Sequence, residues 1–399
     1  MRPGAAARAL LAAAVCALAL APVAKTACAA EATAPRLRAA QVLIFRGGTP
    51  ADVEGSLRRL RDAGVDTVIV RAFQNRGDRP LLYTGAPGDA AGVYFPTSAA
   101  PVVADHLGPV AAACRRLGLS VYAWMTTRAS DWLLEERPDL SELRYDSASG
   151  QVLPSGRLNI FHPAARRRLR ALFADLARAD IDGVLFQDDL VLKAGEGLSP
   201  EAIEAYLEAG GPAVAPALLF DDRAGAGQAA IFSPDSYREA FWPWAAWKNR
   251  ALLDLAEELM AAAREVRPGL RFALNLYYEA VLNPRMALAW YAQDLGAARR
   301  RSFDYFSLMS YHRQIGRELS YAPEEAIAAI GVLGRQAAAA AGDPARVIVK
   351  VQALDWESGA PLPADELERA LGAAPPGVSL AFVRALDDPP LEVIRRRFR

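Results

Sequence analysis

Cysteine and histidine are scarce in this chain, with three of each among 399 residues. The histidines, His106, His162 and His312, are scattered without the spacing a metal site needs. Charge of one sign is also lacking: 46 Lys+Arg balance 46 Asp+Glu, which removes the basic surface that nucleic-acid binding would use. No serine sits in a nucleophile-elbow pattern, and no glycine-rich loop carries a following lysine. The segment Arg46-Gly47-Gly48-Thr49 stands where a dinucleotide fold would place its phosphate turn, but it lacks the fingerprint spacing. Acid and base work therefore falls to carboxylates, and neither a cofactor nor a metal is expected.

Long apolar runs are confined to the N-terminus. Arg2 and Arg8 precede an apolar stretch from Ala9 to Val23, followed by the small residues Ala27-Cys28-Ala29-Ala30. This three-part pattern predicts a secretory signal peptide over residues 1–30, cleaved near Ala29 or Ala30 and leading to a periplasmic or secreted protein. Residues 31–399 then form a single domain. Removal of the leader leaves Cys114 alone, which excludes an intramolecular disulfide and a cysteine-ligated metal. Cys114 lies in a helical pattern and reads as a small buried hydrophobe.

What is present is an alternation of apolar strand runs with helical stretches. The strand candidates are Gln41 to Phe45, Thr67 to Phe73, Ser120 to Met125, Asp182 to Phe186, Arg271 to Tyr277, Asp304 to Met309, Val347 to Gln352 and Ser379 to Val383. Helix starts are marked by Thr49-Pro50, Pro163 and Pro234-Asp235, and left-handed glycine turns by Gly64 and Gly118. Eight such units predict an α/β fold, a (β/α)8 TIM barrel, in which ~250 residues build the barrel and the excess enters long βα loops. Two connections are long, Gln74 to about Thr97 and Leu190 to about Pro234. They would wall the catalytic mouth, although Gly210 to Gly227 reads equally as low-complexity insertion.

In such a barrel the C-terminal strand ends carry the chemistry. The fourth strand ends in Gln187-Asp188-Asp189. Adjacent side chains on a strand point to opposite faces, so the two carboxylates hold unlike environments, the condition for an acid and a base in glycoside hydrolysis. Alternatively, one of them caps a turn. Asp188 is the leading acid/base candidate, with Asp189 assisting. Asn275-Leu276-Tyr277-Tyr278-Glu279 ends the fifth strand, with Glu279 either a second carboxylate or a solvated loop residue. Hydrogen-bonding and aromatic contacts to a sugar are assigned to Arg71, Trp124, Asn275, Tyr311, Lys350, Gln352, Asp355 and Trp356. Lys350 can instead pair with Asp188 or Asp189 and lower its pKa. Trp242, Trp244 and Trp247 read as packing.

Several segments in one order resemble a known family. They include Val93-Tyr94-Phe95-Pro96, Val121-Tyr122-Ala123-Trp124-Met125, Asp182-Gly183-Val184-Leu185-Phe186 with Asp188-Asp189, and Lys248-Asn249-Arg250. Asn275, Asn283-Pro284, Ala289-Trp290-Tyr291-Ala292-Gln293, Asp304-Tyr305 and Lys350-Val351-Gln352-Ala353 with Asp355-Trp356 continue the series. The pattern resembles the C-terminal glycoside hydrolase domain of the poly-β-1,6-N-acetylglucosamine N-deacetylase PgaB family. The resemblance implies an endo-acting glycoside hydrolase on partially deacetylated poly-β-1,6-N-acetylglucosamine, a biofilm exopolysaccharide. It further implies Asp188 and Asp189 as the essential pair and an acidic groove suited to cationic glucosamine units. The expected partners are that polysaccharide and an exopolysaccharide export machinery. Two alternatives stand beside it: a non-catalytic exopolysaccharide-binding or export protein, and a glycosidase for another glycan. Gln187 stands where the family usually has His, and neither the length nor the histidines for the family's deacetylase half are found here.

Overall fold

Eight runs of apolar residues, each too hydrophobic to leave either face in water, close on one another as a parallel barrel. The computed structural model describes residues 34–84, 88–221 and 236–399. In chain order the barrel strands are β1 (Arg38–Val42), β2 (Thr67–Arg71), β3 (Ser120–Met125), β4 (Gly183–Phe186), β5 (Arg271–Leu276), β6 (Tyr305–Met309), β7 (Val347–Gln352) and β8 (Ser379–Arg384). Each pairs with its sequence neighbours, and β1 closes the ring on β8. The fold class read from the sequence is the fold observed.

Two apolar layers hold the barrel. Inside it, Ala39, Ile69, Tyr122, Leu185, Ala273, Tyr305, Ile348 and Ala381, one from each strand, form a buried cluster. A strand's period of two makes the residues two positions further along the next inward layer. That layer is polar: Gln41, Arg71, Asn275, Ser307 and Lys350 are all buried in it, and Trp124 and Gln187 are half-buried. The barrel thus changes from an apolar plug to a polar floor on the way to its C-terminal mouth. Gly183 opens β4 because a Cβ there would lie 2.3 Å from the Tyr122 ring.

Outside the strands, a larger cluster packs them against helices, among them α1 (Pro50–Asp62), α2 (Leu107–Arg116), α3 (Pro163–Leu176), α4 (Phe241–Val266), α5 (Pro284–Tyr291), α6 (Pro323–Ala341), α7 (Ala364–Ala373) and α8 (Leu391–Phe398). Their starts follow local chemistry. Thr49 and Asp52 form a reciprocal capping box on α1, and proline occupies the first turn of α1, α3, α5 and α6. Gly64 and Gly118 take the left-handed turns expected of them, with φ of 95° and 70°. Cys114 is buried on α2, and burial pushes its thiol up to about 12. No helix among the described residues is long and apolar enough to cross a membrane.

Some boundaries differ from the sequence expectation. The first strand is Arg38–Val42, because Gln41 pairs with both Ile69 and Val383, while Phe45–Arg46 pairs instead with Leu82–Tyr83. β2 stops at Arg71, and Phe73–Gln74 turns away to pair antiparallel with Gly92–Val93. The Leu190 connection contains helical turns at Pro200–Glu208 and Pro216–Leu219. The leader, the helix start at Pro234-Asp235 and part of the Gly210 to Gly227 stretch lie outside the described residues.

The connection from β3 to α3 was not anticipated. It carries an antiparallel hairpin, Ser141–Asp146 with Gln151–Leu158, turned at Gly150 with φ 68°. Asp146 accepts from the Ser149 amide and hydroxyl, fixing the turn. The hairpin is joined to the β4 loop by Tyr145 N to Gly195 O at 2.9 Å and by an antiparallel bridge between Arg144 and Glu196. A second apolar core, with Leu198, Tyr206, Phe220, Phe241, Trp244 and Trp247, fills the space behind both. The packing expected of Trp244 and Trp247 is what they do.

Candidate active site

The β2, β3, β4 and β5 loops surround a cleft of about 280 Å³ at the C-terminal mouth. Its lining includes Asn75, Arg157, Gln187, Asp188, Asp189, Lys193 and Tyr277. β4 ends at Phe186, and Gln187 N still bonds to Met125 O at 2.9 Å, so the chain leaves the sheet at the aspartate pair. The two carboxylates then part company.

Asp189 turns toward the backbone that follows β3. One oxygen accepts from Arg128 N at 2.7 Å, Ala129 N at 2.6 Å, Thr127 N at 2.9 Å and Thr126 Oγ1 at 2.6 Å; the other accepts from Thr127 Oγ1 at 3.0 Å. Three successive amides that would otherwise lie buried without partners are satisfied by this one side chain. Asp188, half-buried in the cleft, carries no comparable set of donors. Burial pushes its carboxyl up from the usual range; Lys350 opposes the rise and the Asp189 charge adds to it. A carboxyl held toward its protonated form beside a cleft is the physical requirement for a general acid.

Lys350 lies fully buried beneath the mouth and donates to Asn275 Oδ1 at 2.8 Å. Burial pulls its ammonium down, and Asp188 opposes that fall. The lysine therefore bonds to the amide, not to an aspartate, and its attraction only tempers the rise at Asp188. The net direction at Asp188 is upward, opposite to the lowering expected from an ion pair. Tyr311, whose phenol is raised by burial and by Asp188, lies with its ring 5.9 Å from the Lys350 ammonium. It meets Trp356 edge-on at 5.3 Å, and Tyr277 stacks on Tyr291 at 4.1 Å. Tyr277, Tyr311 and Trp356 follow β5, β6 and β7, and Tyr291 closes α5.

Other residues assigned to sugar contact have internal work. Arg71 pairs with Asp78 at 3.2 Å and donates to Arg79 O. Gln352 accepts from Arg313 N at 3.1 Å and donates to Leu354 O at 3.1 Å. Asp355 accepts from Ser358 N at 2.8 Å and from Arg313 at 2.5 Å, and the Ser358 and Arg313 bonds bring it down to about 2. Trp124 meets Phe73 edge-on at 5.7 Å. Glu279 is buried outside the cleft lining, and burial pushes its carboxyl up to about 7.

The lining also contains residues the sequence did not single out. Arg157 comes from the hairpin and Lys193 from the β4 loop. Arg128 and Glu196 form a buried ion pair of 2.7 Å in the wall. Behind it Lys248 donates to the carbonyls of Lys193 at 2.9 Å and Glu196 at 3.0 Å, with its ammonium 3.6 Å from the Trp244 ring centre. Burial brings Lys248 down to about 7. The charged residues lining this cleft are three cations and three acids. Among the described residues, no group of three or more His, Cys, Asp and Glu side chains converges as a metal site.

A closed parallel barrel with a deep carboxyl at its mouth is the architecture of a (β/α)8 glycoside hydrolase. The chain belongs to the family described as hypothetical glycosyl hydrolase family 13, whose model matches residues 51–374. It is 30% identical to the poly-β-1,6-N-acetyl-D-glucosamine N-deacetylase of Escherichia coli K12 over 267 residues, 65% of this chain and 35% of that protein. The chain therefore spans about a third of the length of the curated relatives it matches. The PgaB (BpsB) glycoside hydrolase domain of Bordetella bronchiseptica superposes with a TM-score of 0.71 at 26% identity, over 91% of this chain and 99% of that one. An α-L-fucosidase from Paenibacillus thiaminolyticus, at 13% identity and a TM-score of 0.56 over 91% of this chain and 49% of that one, shares the fold.

Proposed function

We propose that this chain is an endo-acting glycoside hydrolase of partially deacetylated poly-β-1,6-N-acetylglucosamine, with Asp188 as the general acid. The observation that carries the reading is Asp188 itself. Of the acids lining the cleft, Asp189 is taken up by backbone amides and Glu196 by Arg128, which leaves Asp188 available to a glycosidic oxygen. Asp189 has a positioning role in this scheme: it holds the β3 loop against the strand end that presents Asp188. The 30% identity to a deacetylase named for this polymer supports the choice of substrate.

Asn275 and Lys350 lie under the reacting ring, and Tyr277, Tyr311 and Trp356 offer aromatic faces to sugar C–H groups. Arg71, Trp124, Gln352 and Asp355 shape the loops that carry these contacts. The same reading takes residues 1–30 as a cleaved leader, residues 31–399 as one domain, the periplasm or exterior as the location, and an exopolysaccharide export machinery as a partner.

The test is incubation with partially deacetylated polymer, followed by mass spectrometry of the products. Oligosaccharides of several lengths support endo cleavage. Binding without products supports the export-protein alternative, and turnover only of another polymer supports a different glycan.

A further inference from the structure

We propose that Arg313 is a positioning residue for the glycan: it sets the Trp356 ring as a platform for a sugar unit outside the cleft. The inference rests on the reading of the barrel mouth as a glycan site and adds a residue that this reading does not use. Trp356 lies half-buried in the β7 loop, apart from the residues that line the cleft of about 280 Å³. Its ring meets the Tyr311 ring edge-on at 5.3 Å, with 70° between the planes. Tyr311 in turn lies 5.9 Å from the Lys350 ammonium and within the field of Asp188. The Trp356 ring is thus one side chain removed from the acid, where a polymer that runs past Asp188 would lay a neighbouring unit. A half-buried indole gives the apolar face of a sugar ring a surface to rest on.

Charge-assisted bonds running through Arg313 hold that ring in place. Asp355, the residue before Trp356, divides the duties of its two oxygens. Oδ1 accepts from Glu357 N at 3.0 Å, Ser358 N at 2.8 Å and Ser358 Oγ at 3.1 Å, which folds the loop on itself. Oδ2 accepts from Arg313 Nη1 at 2.5 Å. The first set fixes the shape of the loop, and the bond to Arg313 fixes where that shape sits. Arg313 is itself held, because Nε and Nη2 donate to the two oxygens of Glu366 on α7 at 2.7 and 2.6 Å, and its amide donates to Gln352 Oε1 at 3.1 Å. His312 Nε2 lies 2.9 Å from the same Glu366. One planar guanidinium therefore joins two carboxylates from different elements, a fork that a lysine ammonium does not reproduce. A further tie to the loop, Arg317 to Glu357 at 3.1 Å, is exposed and contributes little. Arg313 stands two residues after Tyr311 on the helix His312–Leu319, so one short segment sets Trp356 twice, by the Tyr311 ring and through Asp355.

A double-mutant cycle tests whether the arginine acts through the ring. The probe is a partially N-acetylated β-1,6-linked glucosamine oligomer, titrated calorimetrically against the full chain in the Asp188→Asn background to prevent turnover. Trp356→Ala should weaken binding about tenfold, Arg313→Met by nearly as much, and the two together no more than Trp356→Ala alone. Arg313→Lys keeps the charge but not the fork, and should recover only part of the affinity. General damage to the fold would instead weaken binding in the Trp356→Ala background as well, and urea unfolding of each variant reads that damage directly. Losses that add, full affinity in Arg313→Met, no loss in Trp356→Ala, or no binding by the Asp188→Asn chain each overturns the proposal. With Asp188 restored, Arg313→Met should raise KM on the polymer and leave kcat and its pH profile in place, whereas a fall in kcat at unchanged KM also overturns it. Cleavage of partially deacetylated polymer by the parent chain, read separately, tests the proposed function: it can be absent when the cycle is non-additive, or present when the losses add.

Discussion

Asp188 and Asp189 are neighbours with opposite energetic roles. The Asp189 carboxylate satisfies three amides and two hydroxyls, so loss of its charge leaves buried donors unmatched. Asp189→Asn should cost ~2–4 kcal/mol in urea unfolding and reduce activity through that damage. Asp188 has no such structural duty, and burial already disfavours its charge. Asp188→Asn should leave the unfolding midpoint unchanged or raise it while lowering kcat on polymer by ~10²–10⁴-fold. Equal destabilisation by the two substitutions would contradict this division. Lys350 gives a second check. Its positive charge favours ionised Asp188, so Lys350→Met should raise the Asp188 pKa further and keep the acid protonated to higher pH. The alkaline limb of the kcat/KM profile then moves upward in pH; a downward move refutes the coupling.

At the scale of elements, the wall of the cleft depends on a buried charge cluster. Lys248 on α4 caps carbonyls of the β4 loop, and Glu142 of the hairpin accepts from Ser199 N at 3.0 Å on the far side of that loop. Lys248→Met should leave those carbonyls unpaired and cost ~1–3 kcal/mol. Protease digestion should then cut first in the β4 loop or the hairpin, whereas uniform resistance would count against the cap. The barrel strands were legible because burial on both faces leaves short apolar runs such as Val68-Ile69-Val70 and Val347-Ile348-Val349. The hairpin was not, because Ser141–Asp146 is mostly half-exposed and mixes polar with apolar residues. Its one local signal was the turn from Asp146 to Gly150. Asp188 could be found at a strand end, but Arg157 reaches the cleft only through tertiary pairing, which spacing along the chain does not encode.

For the molecule as a whole, buried ionisable groups connect stability to pH. Glu279 is held near 7 by burial, above its ordinary value of 4.5, so between those values the folded state keeps a proton that the unfolded state has released. Its contribution is fully present below the unfolded value and is lost as pH rises through about 7. Glu279→Gln should therefore raise the melting temperature at pH 8 relative to the parent and change it little near pH 4. A larger effect at the acidic end would reverse the assignment.

The barrel as a whole presents one deep carboxyl to its ligand, and the account depends on that carboxyl donating a proton to the leaving group. The most direct measurement compares parent and Asp188→Asn on two substrates, the polymer and an aryl glycoside whose leaving group departs without protonation. A ~10²–10⁴-fold loss on the polymer and a much smaller loss on the aryl glycoside are expected. Equal loss on both would contradict the general-acid role of Asp188.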